Sequence, residues 1–196
     1  MGRVRASVLH CTAASLVLTV CVAASARSAA APDAWQAMKL PRHVVLMRHA
    51  HAPGIGEDPP GIDLKNCSLQ RNLDEAGRTQ ARRTGDEFRA HGIRTARMVA
   101  SQFCRAIDTA RLMNLGPVQQ LPLLNYVNFE DPKLEEIVSR TLDFLRRLPA
   151  NQVTVLVTHI SNVKALTSVT PQSGEMVVAR IDPAGGLTVV TRIAAK

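Results

Sequence analysis

The sequence predicts an α/β fold, a three-layer sandwich around a mainly parallel central sheet, and two observations carry that expectation. Apolar runs of strand length at residues 43–47 and 153–157 show no alternation, as expected of strands covered on both faces. Between and after them, apolar residues recur at helical spacing, so strands and helices alternate along the chain. The 196 residues are 46% hydrophobic, enough for one domain with a substantial core, placed at residues 40–196.

Residues 1–30 are set apart as a secretory signal peptide. Arg3 and Arg5 precede a mostly apolar stretch from about Ala13 to Ala24, no acid is present, and small residues such as Ala24-Ser25-Ala26 follow. The apolar run is shorter than the ~20 residues a membrane span needs, so no span is expected once the signal is cleaved. A lipoprotein anchor at Cys21 is the alternative. The expected location is periplasmic or secreted.

The elements then follow in order. After the 43–47 strand, residues 52–61 hold three prolines and glycines within Ala52-Pro53-Gly54-Ile55-Gly56 and three more in Pro59-Pro60-Gly61, which forbid regular structure and predict a long irregular loop beside a pocket. Leu73, Gly77, Ala81, Thr84 and Phe88 predict a helix over about 74–91, with Asp74 as its cap and Gly92 closing it. A weaker strand candidate lies around 97–100. Phe103, Ala106, Ile107, Ala110 and Met113 line one side of the next helix, which stops before Gly116 and puts Arg105 in its first turn. Leu134, Ile137, Val138, Leu142, Leu145 and Leu148 trace an amphipathic helix with Asp131 as N-cap, Pro132 at its first position and Pro149 beyond its end. The strand over 152–158 and a short helix over 161–167 come next. Stretches 175–181 and 187–193 flank Asp182-Pro183-Ala184-Gly185-Gly186 in the pattern of a closing hairpin.

Charge and composition narrow the function. Loss of the signal removes Arg3, Arg5 and Arg27 and lowers the formal charge from +8 to +5. That excess does not imply nucleic-acid binding, because Trp35 and Tyr126 are single of their kind and Arg78, Arg82, Arg83 and Arg89 are interleaved with Asp86 and Glu87 on a solvated helix face. Of four cysteines, Cys67 and Cys104 remain after cleavage. An even pair in an exported protein suggests a disulfide, with two separate buried thiols as the alternative. A cysteine phosphatase is excluded, since the position six after each cysteine holds Leu73 or Ala110 rather than arginine.

Candidate chemistry gathers at strand ends. Arg48 and His49 end the first strand, Arg105 follows the second, and His159 follows the 153–157 run. Guanidinium forks match phosphate oxygens, and a neutral imidazole can accept a phosphoryl group, so the four residues read as a phosphoryl-transfer site with a histidine nucleophile. Arg105 gains from its helix start, where free N–H groups favour an anion. Arg71 either faces this pocket as a substrate-binding residue or pairs with an acid. Asn162 fits a cap of the short helix better than a substrate contact, His51 fits an exposed loop residue, and His43 and His91 fit structural roles. No Cys, His and carboxylate cluster has metal-ligand spacing, so no metal and no cofactor are expected.

These pieces resemble the histidine phosphatase superfamily, which includes phosphoglycerate mutases, fructose-2,6-bisphosphatase-like enzymes and acid phosphatases. The resemblance rests on Arg48-His49, the segment from Arg71-Asn72-Leu73-Asp74 to Ala81, Arg105-Ala106-Ile107-Asp108-Thr109-Ala110 and Thr158-His159, in the family's order. It implies a phosphoglycerate mutase-like fold, His49 as the residue that becomes phosphohistidine, and Arg48, Arg105 and His159 as ligands of the phosphoryl oxygens. One departure stands out. Mutase-like members carry a glutamate near the place of Leu124-Asn125-Tyr126, where this chain has no carboxylate. Glu130 is the nearest candidate for the general acid, and Glu175 a more distant one. The resulting expectation is an exported, metal-independent phosphomonoesterase acting on a small or envelope-sugar phosphate. A phosphohistidine protein phosphatase and a catalytically silent phospho-ligand binding module are the alternatives.

Overall fold

The computed structural model describes residues 33–54, 58–59 and 61–196. The expected signal peptide lies outside the described residues. Six strands, β1 (His43–Arg48), β2 (Arg97–Ala100), β3 (Val118–Gln120), β4 (Thr154–Thr158), β5 (Met176–Ile181) and β6 (Leu187–Ile193), form one sheet in the order β3-β2-β4-β1-β5-β6. The four strands from β3 to β1 run parallel, and the β5–β6 hairpin adds antiparallel to β1. Central β1 and β4 are therefore paired along both edges. The helices are α1 (Ala34–Ala37), α2 (Glu75–Ala90), α3 (Cys104–Met113), α4 (Leu134–Arg146) and α5 (Ile160–Thr167).

Period-two alternation on central strands distributes the core to both faces. Val45 and Met47 of β1 pack with Phe88 of α2 and Ala106, Ala110 and Met113 of α3, while Val44 and Leu46 pack with Leu145 of α4 and Val163 of α5. Each fully buried side chain of this size contributes about 1.5–3 kcal/mol, which explains why the central strands carry almost no polar residue. The expected three-layer architecture is the one observed.

Helix ends follow from named residues. Asp74 accepts a hydrogen bond from the Gly77 N–H at 2.7 Å and caps α2, whose end passes through His91 into left-handed Gly92 at φ 77°. α3 ends on Asn114, also left-handed at φ 52°. Helix α4 starts later than the Asp131 cap predicts. The Asp131 side chain accepts from the Lys133 N–H at 2.8 Å and closes a turn over Pro132 and Lys133, so the first helical residue is Leu134. The sequence reading also omits β3 and α1. β3 is a three-residue edge strand containing two glutamines, and α1 is a single turn; neither is long enough to show a period.

Among the described residues no helix is long and apolar enough to cross a membrane.

Candidate active site

The C-terminal ends of β1, β2 and β4 lie side by side, with Arg48 paired in register with Thr158 and Ala100 with Val157. The residues just beyond these ends converge: His49 after β1, Ser101 after β2, His159 after β4. The His49 N–H donates to the Thr158 carbonyl at 2.9 Å, extending the parallel pairing one residue past the strand. The Ala50 N–H donates to Thr109 Oγ1 at 3.0 Å, which in turn donates to the Arg105 carbonyl at 2.7 Å, so α3 clamps the segment after β1.

His49 is 3% exposed, and its Nδ1 lies 2.8 Å from the Ala50 carbonyl oxygen. A carbonyl only accepts, so Nδ1 carries the proton and Nε2 keeps its lone pair. Burial, then the nearby charge of Arg105, and to a lesser degree Arg48 and Arg71, push the imidazole down to about 3 against the single favourable contact to Ala50. His49 is thus a neutral imidazole with its lone pair on Nε2.

His159 is buried, with its ring edge-to-face with His49 at 5.4 Å between centroids. Arg105 Nη2 lies 3.4 Å from its Nδ1, and a guanidinium only donates, so Nδ1 is the acceptor and Nε2–H donates to Ser101 Oγ at 2.8 Å. Ser101 Oγ also accepts from the Phe103 N–H and donates to Asn125 Oδ1. Burial first, and then the proximity of the His49 imidazole and the charges of the three arginines, hold the His159 imidazole well below its ordinary value.

Arg105 is 1% exposed at the second position of α3, packed at 4.6 Å over the Phe103 ring. Phe103 offers no side-chain cap to this helix; Gln70 Oε1 accepts from the Cys104 N–H instead, at 3.0 Å. Burial lowers the Arg105 guanidinium below its usual range, partly offset by Asp58, whose Oδ2 lies 2.8 Å from Nη1. The contact is a buried ion pair whose angle is too poor for a hydrogen bond. Arg48 is half-buried, and its Nη1 donates to the Pro171 carbonyl at 3.1 Å. Arg71 faces the same space: Nη1 donates to the carbonyls of Gly54 at 3.3 Å and Ala52 at 3.5 Å, and its charge acts on His49, His159, Arg48 and Arg105. The Nε atoms of all three arginines are buried and have no hydrogen-bond partner among the described residues, donors suited to an oxyanion.

Cys67 and Cys104 are joined by a disulfide, with 5.8 Å between their Cα atoms. The bond ties the 3-10 turn Cys67–Leu69 to the first residue of α3, next to Arg105.

The structure therefore brings together Arg48, His49, Arg105, His159 and Arg71. Glu130 is not among them. It is exposed, and its backbone N–H donates to Asn128 Oδ1 at 3.3 Å. Glu175 is buried but committed elsewhere, within 2.5 Å of Arg192 and accepting from the Gln172 N–H. Burial pushes its carboxyl up, and the Arg192 and Gln172 hydrogen bonds outweigh that and hold it below the usual carboxylate range. Asn162 does not cap α5; its Nδ2 donates to the Asn125 carbonyl at 3.1 Å and fixes the loop that carries Asn125. His51 is exposed and pairs with Asp74 at 3.0 Å. Asp58, Ser101, Gln70 and Asn125 escape the sequence reading. Among the described residues no cluster of histidine, cysteine and carboxylate side chains could hold a metal ion.

Residues 44–135 match the model of the histidine phosphatase superfamily, branch 1. Over that segment, just under half of the chain, the sequence is similar to that superfamily. Over 97 residues, half of this chain, it is 28% identical to the mitochondrial serine/threonine-protein phosphatase Pgam5 of Drosophila virilis, covering 27% of that protein. It thus spans about a quarter of the curated relatives it matches. The fold is similar to that of the phosphoserine phosphatase of Entamoeba histolytica in complex with 3-phosphoglyceric acid, at TM-score 0.59 and 12% identity, covering 79% of this chain and 98% of that one. It is also similar to the protein histidine phosphatase SixA complexed with tungstate, at TM-score 0.54 and 18% identity, covering 78% of this chain and 96% of that one. These likenesses bear out the phosphoglycerate mutase-like fold expected from the sequence.

Proposed function

We propose that this chain is a phosphomonoesterase that works through a phosphohistidine on His49. The observation that carries the reading is one imidazole held neutral, with its lone pair on Nε2, beside three guanidiniums whose buried Nε–H groups have no hydrogen-bond partner among the described residues. Phosphoryl transfer asks mainly for positioning and charge stabilisation, and both are present. Arg48, Arg71 and Arg105 bind the phosphoryl oxygens. His49 Nε2 attacks phosphorus, the ester oxygen departs, and water then cleaves the phosphohistidine. No metal is needed, because the arginines supply the positive charge a cation would bring.

The substrate is a small or envelope-sugar phosphate, and the setting is exported. Buried catalytic groups suit a compact phosphate better than a protein surface, and the Cys67–Cys104 bond suits an oxidising compartment. A phosphohistidine protein phosphatase is the second reading. It is favoured by the exposure of Glu130, since a phosphoramidate needs less help from an acid than an alkyl ester does.

The test is His49→Ala with labelled substrate. The parent chain retains label after an alkaline quench and loses it after an acid quench, while His49→Ala neither retains label nor turns over. Most activity surviving in His49→Ala overturns the assignment. Activity lost to a chelator and restored by a divalent metal overturns the metal-independent mechanism. Comparison of sugar phosphates with a phosphohistidine peptide separates the two readings.

A further inference from the structure

The loop after β1 delivers a carboxylate into the arginine cluster. The Asp58 side chain is 4% exposed, and its Oδ1 accepts from the Arg71 N–H at 2.8 Å while Oδ2 lies against Arg105 Nη1. Its position is built from two directions. Arg71 leads into α2, and the segment just before it is stapled to α3 through Cys67–Cys104, so the atoms holding Asp58 move with Arg105 itself. Among the described residues Oδ2 accepts no aligned hydrogen bond and Arg105 Nε has no hydrogen-bond partner.

We propose that Asp58 is the proton carrier of the reaction, giving a proton to the leaving oxygen and taking one from the attacking water. This rests on the phosphohistidine reading above. Acceptors on neighbouring nitrogens of one guanidinium lie within hydrogen-bond reach of each other, so a phosphoryl group on Arg105 brings its ester oxygen beside the Asp58 carboxylate. Two anions there repel unless a proton is shared. The ester supplies that proton by entering as its monoanion and passing it to Asp58. In the first step the His49 Nε2–P bond forms, the P–O ester bond breaks, and the Asp58 proton leaves with the alcohol. In the second, the Asp58 carboxylate takes a proton from water as its oxygen attacks phosphorus. The Nε2–P bond then breaks, and inorganic phosphate and the His49 lone pair are restored. Neither Glu130 nor Glu175 is placed for this work.

The experiment compares parent and Asp58→Asn on glycerol phosphate, whose alkoxide is a poor leaving group, and on p-nitrophenyl phosphate, whose phenolate needs no proton. The expected result is a loss of about 10²-fold or more in kcat/KM on glycerol phosphate and a much smaller loss in the p-nitrophenolate burst. Acid-labile phosphate should accumulate on the variant, because water attack is slowed. The ratio of the two rates does not depend on how much of the variant is folded. Equal losses on both esters without accumulation, or tighter inhibition by inorganic phosphate with an unchanged ratio, show Asp58 to be only the counter-charge of Arg105 and overturn the proposal. A second measurement uses the parent alone. Across substituted phenyl phosphates its kcat/KM should depend weakly on leaving-group basicity, and a steep dependence overturns the proposal. A parent chain that cleaves neither ester nor a phosphohistidine peptide overturns the phosphohistidine reading, and the proton carrier with it; turnover with an unchanged ratio overturns the carrier alone.

Discussion

At the level of single residues, hydrogen-bond polarity decides the chemistry. The Ala50 carbonyl leaves the His49 lone pair on Nε2, the atom proposed as the nucleophile, and the Arg105 guanidinium makes His159 Nδ1 the acceptor, which leaves Ser101 as the only partner of the His159 Nε2 proton among the described residues. Ser101→Ala removes that partner inside a buried site. An unpaired buried donor costs about 1–3 kcal/mol, so the variant should lose roughly tenfold or more in kcat while KM for phosphate esters changes less. Steady-state kinetics beside a thermal melt check this, and unchanged kcat in a folded variant refutes the positioning role. Glu130→Gln makes the opposite prediction. Its carboxylate is exposed and tied to no site residue, so turnover of glycerol phosphate should stay within about twofold of the parent under an aryl and alkyl ester comparison.

At the level of elements, helix α2 presses against the segment just beyond His49. A side-chain carbon added at Gly77 would run into the His51 backbone carbonyl, and one added at Gly85 would run into the Met113 carbonyl at the end of α3. Both Gly→Ala changes should lower the melting temperature. Only Gly77→Ala should also slow turnover per folded molecule, since the chain it displaces starts two residues after His49; equal effects on activity refute this reading. Reduction of Cys67–Cys104 releases a constraint worth about 2–4 kcal/mol and should lower stability measurably in denaturant titrations with and without a thiol reductant. These elements also show what a sequence discloses. β1, β4, α2 and α3 are long apolar runs or periodic helices, so their ends could be placed, and with them Arg48, His49, Arg105 and His159. Asp58 lies in a proline- and glycine-rich loop without period, where nothing local tells a buried acid from an exposed one. Ser101 gave one usable signal, its place just after a strand end. Gln70 and Asn125 act through contacts 34 and 24 residues away and gave none.

For the molecule as a whole, the three-layer core exacts a cost at its catalytic edge, because sheet and helices together bury two imidazoles among arginines. In the folded chain His49 is held at about 3 and His159 well below its usual value, chiefly by burial, whereas in the unfolded chain each binds a proton near 6.5. As pH falls below about 6.5 the unfolded chain takes up protons that the folded one refuses, so stability present above that pH is lost on acidification. Each histidine contributes up to about 1.4 kcal/mol per pH unit within this window. Glu175, held below the usual carboxylate range, adds its loss only below its ordinary value of 4.5. The interval from about 6.5 to 4.5 thus isolates the two histidines from that acid. Denaturant unfolding should show a falling free energy between pH 7 and pH 5 in the parent. His49→Asn with His159→Asn, which replaces both rings with side chains that do not titrate, should flatten the slope over the same interval. An unchanged slope in the double variant would mean that the acid sensitivity arises elsewhere in the molecule and that the buried imidazoles do not govern it.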